Sequence, residues 1–191
     1  MAENDSIRRA LSRGMKTLMS QKAFDRITVS DICRASAVSR RTFYRYFQDK
    51  YDLLNFVHYD EFSRFFEDKQ TAHALEIYPA ACRHMYENRM FYVNAFSVTG
   101  QGSFREFCME RLYVYLERDY GSACETDHER RFYLSRILDA VFDAVQDWLR
   151  QEPCMPPEEY VEKTLRSITR FSSQFARIAQ QVAEMRAADN S

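Results

Sequence analysis

Apolar residues near the start of the chain fall at Ile7, Leu11, Met15, Leu18 and Met19. That spacing marks one face of a helix over 6–21, with Ser6 as its expected cap. Thr28 and Asp31 then stand three apart ahead of an apolar set, Val29, Ile32 and Cys33. A threonine and an acid at that interval form a capping box, which predicts a short second helix ending near Ser36. A break follows at Ala37-Val38. Ser39 caps a third helix, in which Phe43 and Phe47 lie at i, i+4 and point one way. Asp49 caps a longer helix from about Lys50 through Phe66.

Helical spacing continues to the end. Pro79 suits the first turn of a helix ending near Glu87, and Asn88 is the expected cap of RMFYVNAFS. TGQG at 99–102 reads as a loop. Ser103–Glu106 and Thr126–Glu129 repeat the capping-box interval and open helices to about Asp119 and Gln151. EPCMPPEE breaks the chain, and Pro157 sits in the first turn of a final helix to about Arg186. With four Gly and four Pro in 191 residues there are few breakers. The pattern predicts an all-α protein: a three-helix, helix-turn-helix head on a larger helical body. The boundary falls beside the helix starting at Lys50, giving a head over 1–50 and a body over 51–191, with no flexible linker between them.

Net charge is −1, but it is unevenly spread. Residues 1–50 carry 11 Lys and Arg against 5 Asp and Glu, and the remainder carries 16 against 23. A basic head on an acidic body implies an anionic partner for the head. Five cysteines, with no Cys-x-x-Cys pair, argue against a disulfide framework and for a reducing compartment. The N-terminus shows no apolar signal segment, and no apolar run reaches the ~18 residues of a membrane span. A soluble cytoplasmic protein with no membrane partner is expected. The four histidines have no chelating spacing, so no metal is expected, and His58 with Asp60 and Glu61 reads as a solvated helix face. No phosphate loop or nucleophile motif appears; the sequence predicts no cofactor and no enzyme.

The third helix poses a physical question. Arg40 and Arg41 occupy its first turn, where the helix dipole favours acids and two cations cost ~0.3–1 kcal/mol each. Two short helices joined by a tight turn, with another packed behind, form a helix-turn-helix whose second helix enters the major groove. There an arginine can pair with a guanine edge. Thr28, Ser39 and Thr42 offer hydroxyls, and Tyr44 and Tyr46 phenols, to the DNA backbone. Lys50, one turn past the helix, is expected to reach a phosphate.

At these residues the chain resembles the N-terminal domain of TetR/AcrR-type bacterial transcription regulators. The family pattern is matched by Ile27-Thr28, Ile32-Cys33, Val38-Ser39, Thr42-Phe43-Tyr44-Arg45-Tyr46-Phe47 and Lys50-Tyr51-Asp52-Leu53-Leu54. By position the resemblance implies backbone contacts from Thr42, Tyr44 and Lys50. It implies base reading or flanking contacts from Ser30, Arg40, Arg41, Arg45 and Tyr46. Two residues depart from the pattern. Ala37 stands where the turn usually has Gly, at a cost of about 1 kcal/mol if that position needs φ > 0. Arg41 stands where Gly is also common, and its side chain should add contacts and narrow the operator. The stretch FYxNAFxxxGQxSFRE is similar to a subgroup that regulates dihydroxyacetone kinase operons.

The resemblance further implies a regulator, most often a repressor, that dimerises through its last two helices on a palindromic operator and is released by a small-molecule effector. In the final helix Val161, Leu165, Ile168, Ser172, Phe175, Ala179 and Val182 form a heptad-like seam. The preceding helix carries Leu134, Leu138, Val141, Val145 and Trp148 on one line, with Tyr133, Ile137, Phe142 and Leu149 beside it. One face of each helix belongs to the core. The other is expected to meet a second copy in a four-helix interface, unless both faces meet the monomer core. Phe91, Tyr92, Phe96, Phe104, Phe107 and Tyr113 could line an effector pocket with Asn94 or Gln101 as orienting groups, or could be plain core. The rival functional reading is a helical protein–protein or co-regulator module whose DNA-binding face has degenerated, with Ala37 marking the loss. An enzyme on a helical scaffold is a third.

Overall fold

The computed structural model describes residues 2–66, 73–100 and 103–189. Among these there are nine α-helices: α1 (Ala2–Met19), α2 (Val29–Ser36), α3 (Arg40–Tyr46), α4 (Lys50–Phe66), α5 (Ala74–Glu87), α6 (Arg89–Phe96), α7 (Phe104–Tyr120), α8 (Asp127–Arg150) and α9 (Pro157–Asp189). They fall into two units, residues 1–154 and residues 155–191. No helix among the described residues is long and apolar enough to cross a membrane.

Most helix starts are built from local chemistry. Thr28 and Asp31 make a reciprocal capping box at α2, and Thr126 and Glu129 make another at α8. Asp49 Oδ1 accepts from the amides of Tyr51 and Asp52 at 2.8 and 2.9 Å, which starts α4 as expected. At α7 the Ser103 hydroxyl accepts from Glu106 N at 3.3 Å.

Three starts differ from expectation. Helix α1 begins at Ala2 rather than after Ser6, with Asp5 and Arg9 paired one turn apart at 3.0 Å. Pro79 lies inside α5 instead of opening it. The start of α5 lies five residues earlier, where Asp119, on α7, accepts from Ala74 N at 2.8 Å and so caps the helix from 45 residues away. Asn88 does not cap α6 with its side chain; its amide donates to His84 O at 2.9 Å and finishes α5.

The core of the head takes most of the set expected from spacing, with Ile7, Leu18 and Val29 only half-buried. Leu11, Met15 and Met19 of α1 are buried with Ile32 and Cys33 of α2, Phe43 of α3, and Leu53, Leu54 and Val57 of α4. Helices α1 and α2 touch so closely that a methyl group on Gly14 would collide with the Ser36 hydroxyl.

In α8 the structure cuts across the two expected apolar lines, burying members of both. Leu134, Leu138, Phe142, Val145, Trp148 and Leu149 are buried, while Phe132, Tyr133, Ile137 and Val141 are exposed. Leu134 and Leu138 pack with Leu116, Met109 and Leu112 of α7, and Trp148 stacks on Tyr86 of α5. Four of the five α8 residues expected at a dimer interface, Leu134, Leu138, Val145 and Trp148, are therefore core. Two apolar lines 100° apart look alike in sequence, and only the packing of α7 tells which turns inward.

Helix α9, taken by itself, exposes Ile168, Phe171, Phe175, Ile178, Val182 and Met185. Ser172 and Ala179 of the seam are also exposed, and Leu165 is half-buried.

Candidate nucleic-acid interface

The turn between α2 and α3 is a Schellman turn. Val38 N donates to Cys33 O at 3.0 Å and Ala37 N to Arg34 O at 3.4 Å. Ala37 takes φ 53° and ψ 35°, the left-handed conformation that its Cβ disfavours. Ala37 thus pays for a geometry that glycine adopts freely, and the turn forms nonetheless. Ser39 then caps α3: its hydroxyl accepts from Thr42 N at 3.0 Å and hydrogen-bonds Thr42 Oγ1 at 2.9 Å.

Phe43 and Phe47 anchor α3 from below. Their rings are 6.0 Å apart, and Phe47 meets Phe56 of α4 at 5.6 Å. This leaves Arg40, Arg41, Tyr44 and Arg45 exposed and Thr42 and Tyr46 half-buried. Arg40 Nη1 donates to Ser30 Oγ of α2 at 3.0 Å, and its guanidinium lies 6.0 Å from the Tyr44 ring. Arg45 Nη2 donates to Tyr46 Oη at 3.0 Å. Among the described residues, Arg41 has no hydrogen bond, ion pair or ring contact. The two arginines are therefore unequal: one is pre-oriented by a hydroxyl on the neighbouring helix, and the other points its donors into solvent at the positive end of α3.

The start of α2 is equally well defined. Asp31 Oδ2 accepts from Lys22 Nζ at 3.0 Å, Thr28 N at 3.1 Å and the Thr28 hydroxyl at 2.9 Å. The Lys22 ammonium, with help from the Thr28 amide and hydroxyl, holds the Asp31 carboxyl at about 2. Both hydrogen-bonding roles of the Thr28 hydroxyl are thus used in the cap.

This head-and-body arrangement agrees with what the chain is similar to. Residues 15–57 match the family described as bacterial regulatory proteins, tetR family, and residues 72–170, over half the chain, match its transcriptional regulator C-terminal region. The chain belongs to the TetR family. A relative in Lactococcus lactis subsp. lactis, the HTH-type dhaKLM operon transcriptional activator DhaS, is 29% identical over 89 residues. That match covers 46% of this chain and only about half, 48%, of the relative. A solved dihydroxyacetone kinase operon activator, DhaS, superposes with a TM-score of 0.63 at 20% identity, covering 85% of this chain and 94% of that one. NalD of Pseudomonas aeruginosa, the secondary repressor of the MexAB-OprM multidrug efflux pump, superposes at 0.61 with 18% identity, covering 88% and 96%. At these identities the likeness speaks for the fold. The matched proteins are transcriptional regulators, not enzymes.

Within this TetR-family head, the Lys50 ammonium is engaged by the chain itself. It donates to Ile27 O at 3.0 Å and Phe24 O at 3.2 Å, approaches Asp25 O at 3.4 Å, and lies 4.5 Å from the Phe24 ring. Lys50 closes the carbonyl end of the 3-10 turn at Phe24–Arg26, immediately before the Thr28 cap. Its targets lie some 25 residues upstream and cannot be read from spacing.

The six aromatic residues expected around an effector divide between two places. Tyr92 lies 5.0 Å from Phe91, 6.4 Å from Phe96 and 5.6 Å from Phe104, and Phe96 meets Phe142 of α8 at 6.0 Å. Phe107 lies 5.8 Å from the His58 ring. Tyr113 instead joins the cluster of Leu116, Leu134 and Leu138. Asn94, expected as an orienting group, is occupied: its Nδ2 donates to Met19 O at 2.6 Å and Met90 O at 3.2 Å. Gln101 lies outside the described residues.

The reading of His58 and Glu61 as a solvated face is overturned, because both are buried. Glu61 is enclosed by Lys16, His84 and Tyr92, brought from three other helices. The His58 ring lies 4.8 Å from Phe104 with neither nitrogen hydrogen-bonded, and burial pushes its pKa down to about 3. Nothing in the local sequence signals either environment.

Proposed function

We propose that the protein is a cytoplasmic, homodimeric, operator-binding regulator. Residues 1–50 act as the DNA-binding head and residues 51–191 as the regulatory and dimerisation body. The observation that carries this reading is the first turn of α3. Two exposed arginines stand there against the helix dipole, and Arg41 has no protein partner among the described residues. A DNA phosphate or guanine supplies what both the dipole and the guanidinium lack. In this reading Arg41 pairs with a base and Arg40, held by Ser30, has one orientation toward the groove. Tyr44, Thr42, Ser39, Arg45 and Tyr46 flank them along the backbone.

The dimer part is supported by the exposed apolar lines Tyr133–Ile137–Val141 on α8 and Ile168–Phe175–Val182 on α9. A second copy covering them gives the two-fold symmetry that a palindromic site requires. The effector part is supported by polar atoms buried without partners, both nitrogens of His58 and the hydroxyl of Tyr113. A small molecule with a polar group beside the His58 ring would satisfy it, while the Tyr113 hydroxyl lies apart in the α7–α8 cluster. Repression by occupying the operator, relieved by that effector, completes the proposal. Activation is the second reading, favoured by the name of the Lactococcus lactis relative.

Selection of bound sites from random DNA tests it. A palindromic site is expected. Arg41→Ala should weaken binding to that site by about 1–3 kcal/mol, and less when the paired base is changed. The free variant should melt no lower than the parent. No enrichment, or an enriched site without two-fold symmetry, would reject the reading. A reporter placed behind the selected site then separates repression from activation.

A further inference from the structure

We propose that Glu61 is a positioning residue for DNA recognition: its buried carboxylate fixes the seat of α1 on the body, and through α1 the presentation of α3. This rests on the operator-binding reading above. Glu61 lies on α4 and is 1% exposed. Its Oε1 accepts from Lys16 Nζ of α1 at 2.7 Å. Its Oε2 accepts from His84 Nε2 of α5 at 2.6 Å and from Tyr92 Oη of α6 at 2.8 Å. Burial alone would raise its pKa, but the bonds from His84 and Lys16 outweigh it and hold the group at about 2. A second polar grip lies one turn along α1, where Asn94 of α6 donates to Met19 O. The Lys16 ammonium also lies 5.3 Å from the Phe91 ring.

These contacts do something that the apolar face of α1 cannot. Leu11, Met15 and Met19 would be buried equally well if α1 slid or rolled slightly, because apolar contact is non-directional. A buried carboxylate deprived of its partners is strongly penalised, so α1 must keep the Lys16 ammonium within reach of Glu61. What α1 does is then passed on. Gly14 lets α1 sit close against Ser36 of α2, and the Arg40–Ser30 bond links α2 to α3. In a dimer two such heads must match half-sites ~34 Å apart, so a loosened seat costs affinity even though no DNA contact is lost.

The test uses full-length Glu61→Gln and Lys16→Met, singly and together, with the operator selected by the parent protein as the probe. Lys16→Met leaves the carboxylate in place and provides a second route if Glu61→Gln does not fold. Two readouts are taken well below the melting temperature. In hydrogen exchange without DNA, amides of residues 11–19 should lose protection while those of α7 and α8 do not. In operator binding, each single variant should be weaker by about 2–30-fold, with the salt slope unchanged, since neither group meets a phosphate. The double variant should be no worse than the worse single one. The variants should also lose less on an operator with its half-sites moved one base pair apart. Unchanged exchange in α1 overturns the proposal whatever the DNA binding. Loosened α1 with parent-like affinity and spacing preference also overturns it. If the parent protein selects no site at all, the operator-binding reading falls, and this inference falls with it.

Discussion

Replacing Lys50 with methionine keeps the stem and removes the ammonium. Two carbonyls, Ile27 O at 3.0 Å and Phe24 O at 3.2 Å, then lose a charged donor, and the Phe24 ring loses a cation 4.5 Å from its centre. A hydrogen bond to a charged group contributes about 1.5–3 kcal/mol when shielded. Lys50 is only half-buried, so the lower end applies and the methionine stem recovers part of the packing. The expected loss is about 2 kcal/mol. For a protein of this size that lowers Tm by roughly 4–8 °C. The DNA-binding consequence is separable. If the two ammonium groups of a dimer met phosphates, the slope of log K against log[salt] would flatten by about 1.8 on substitution. A lysine committed to the protein backbone leaves the slope unchanged. Urea denaturation of the free protein and operator titrations at several salt concentrations measure the two quantities. A variant as stable as the parent but with the flattened slope would refute this account of Lys50.

Ala37→Gly should stabilise the free protein by about 0.5–1 kcal/mol, because relief of the left-handed strain exceeds the extra entropy of glycine; a lower melting temperature would show that the turn is not strained. His58 gives a pH signature. Its folded pKa of about 3 lies below the ordinary histidine value of 6.5, so on acidification the unfolded state binds a proton that the folded state refuses. Stability should therefore be intact above pH 6.5 and fall by up to about 1.4 kcal/mol per pH unit as pH drops toward 3. Between pH 6.5 and 5 His58→Leu should remove most of that slope in denaturant titrations; an equally steep slope in the variant would place the proton elsewhere. Ala179→Glu on the exposed seam of α9 should give a monomer by light scattering that binds the operator far more weakly, and an unchanged dimer would remove α9 from the interface.

Where a helix begins was legible when the stop or start chemistry was local. Thr28 with Asp31, Ser39, Asp49 and Thr126 with Glu129 could be read at a distance of two or three residues. At Ala37 the resemblance marked the position where a positive φ would be strained, and the turn adopts it. Legibility failed where the deciding partner came from far along the chain. Pro79 looked like a helix start because the cap of the true start at Ala74, Asp119, is on α7. Lys50 looked free because its acceptors are carbonyls, which every residue has and no pattern marks. His58 and Glu61 looked solvated because the groups around them arrive from α1, α5, α6 and α7. On α8 four of the five residues expected at an interface turn inward and Val141 does not, since period fixes the angle between faces and not their direction.

The cap that Asp119 places on α5 has a consequence for the order of assembly during synthesis. Ala74 leaves the ribosome 45 residues ahead of the carboxylate that caps it. At about 5–20 residues per second this is an interval of roughly 2–9 s. Over that time the first turn of α5 has an uncapped amide at Ala74, and the next turn holds Pro79, whose nitrogen can donate no helical hydrogen bond. The turn should stay open until α7 emerges. Nascent chains stalled before Asp119 is exposed should be cut by protease near Ala74, and chains stalled beyond it should resist.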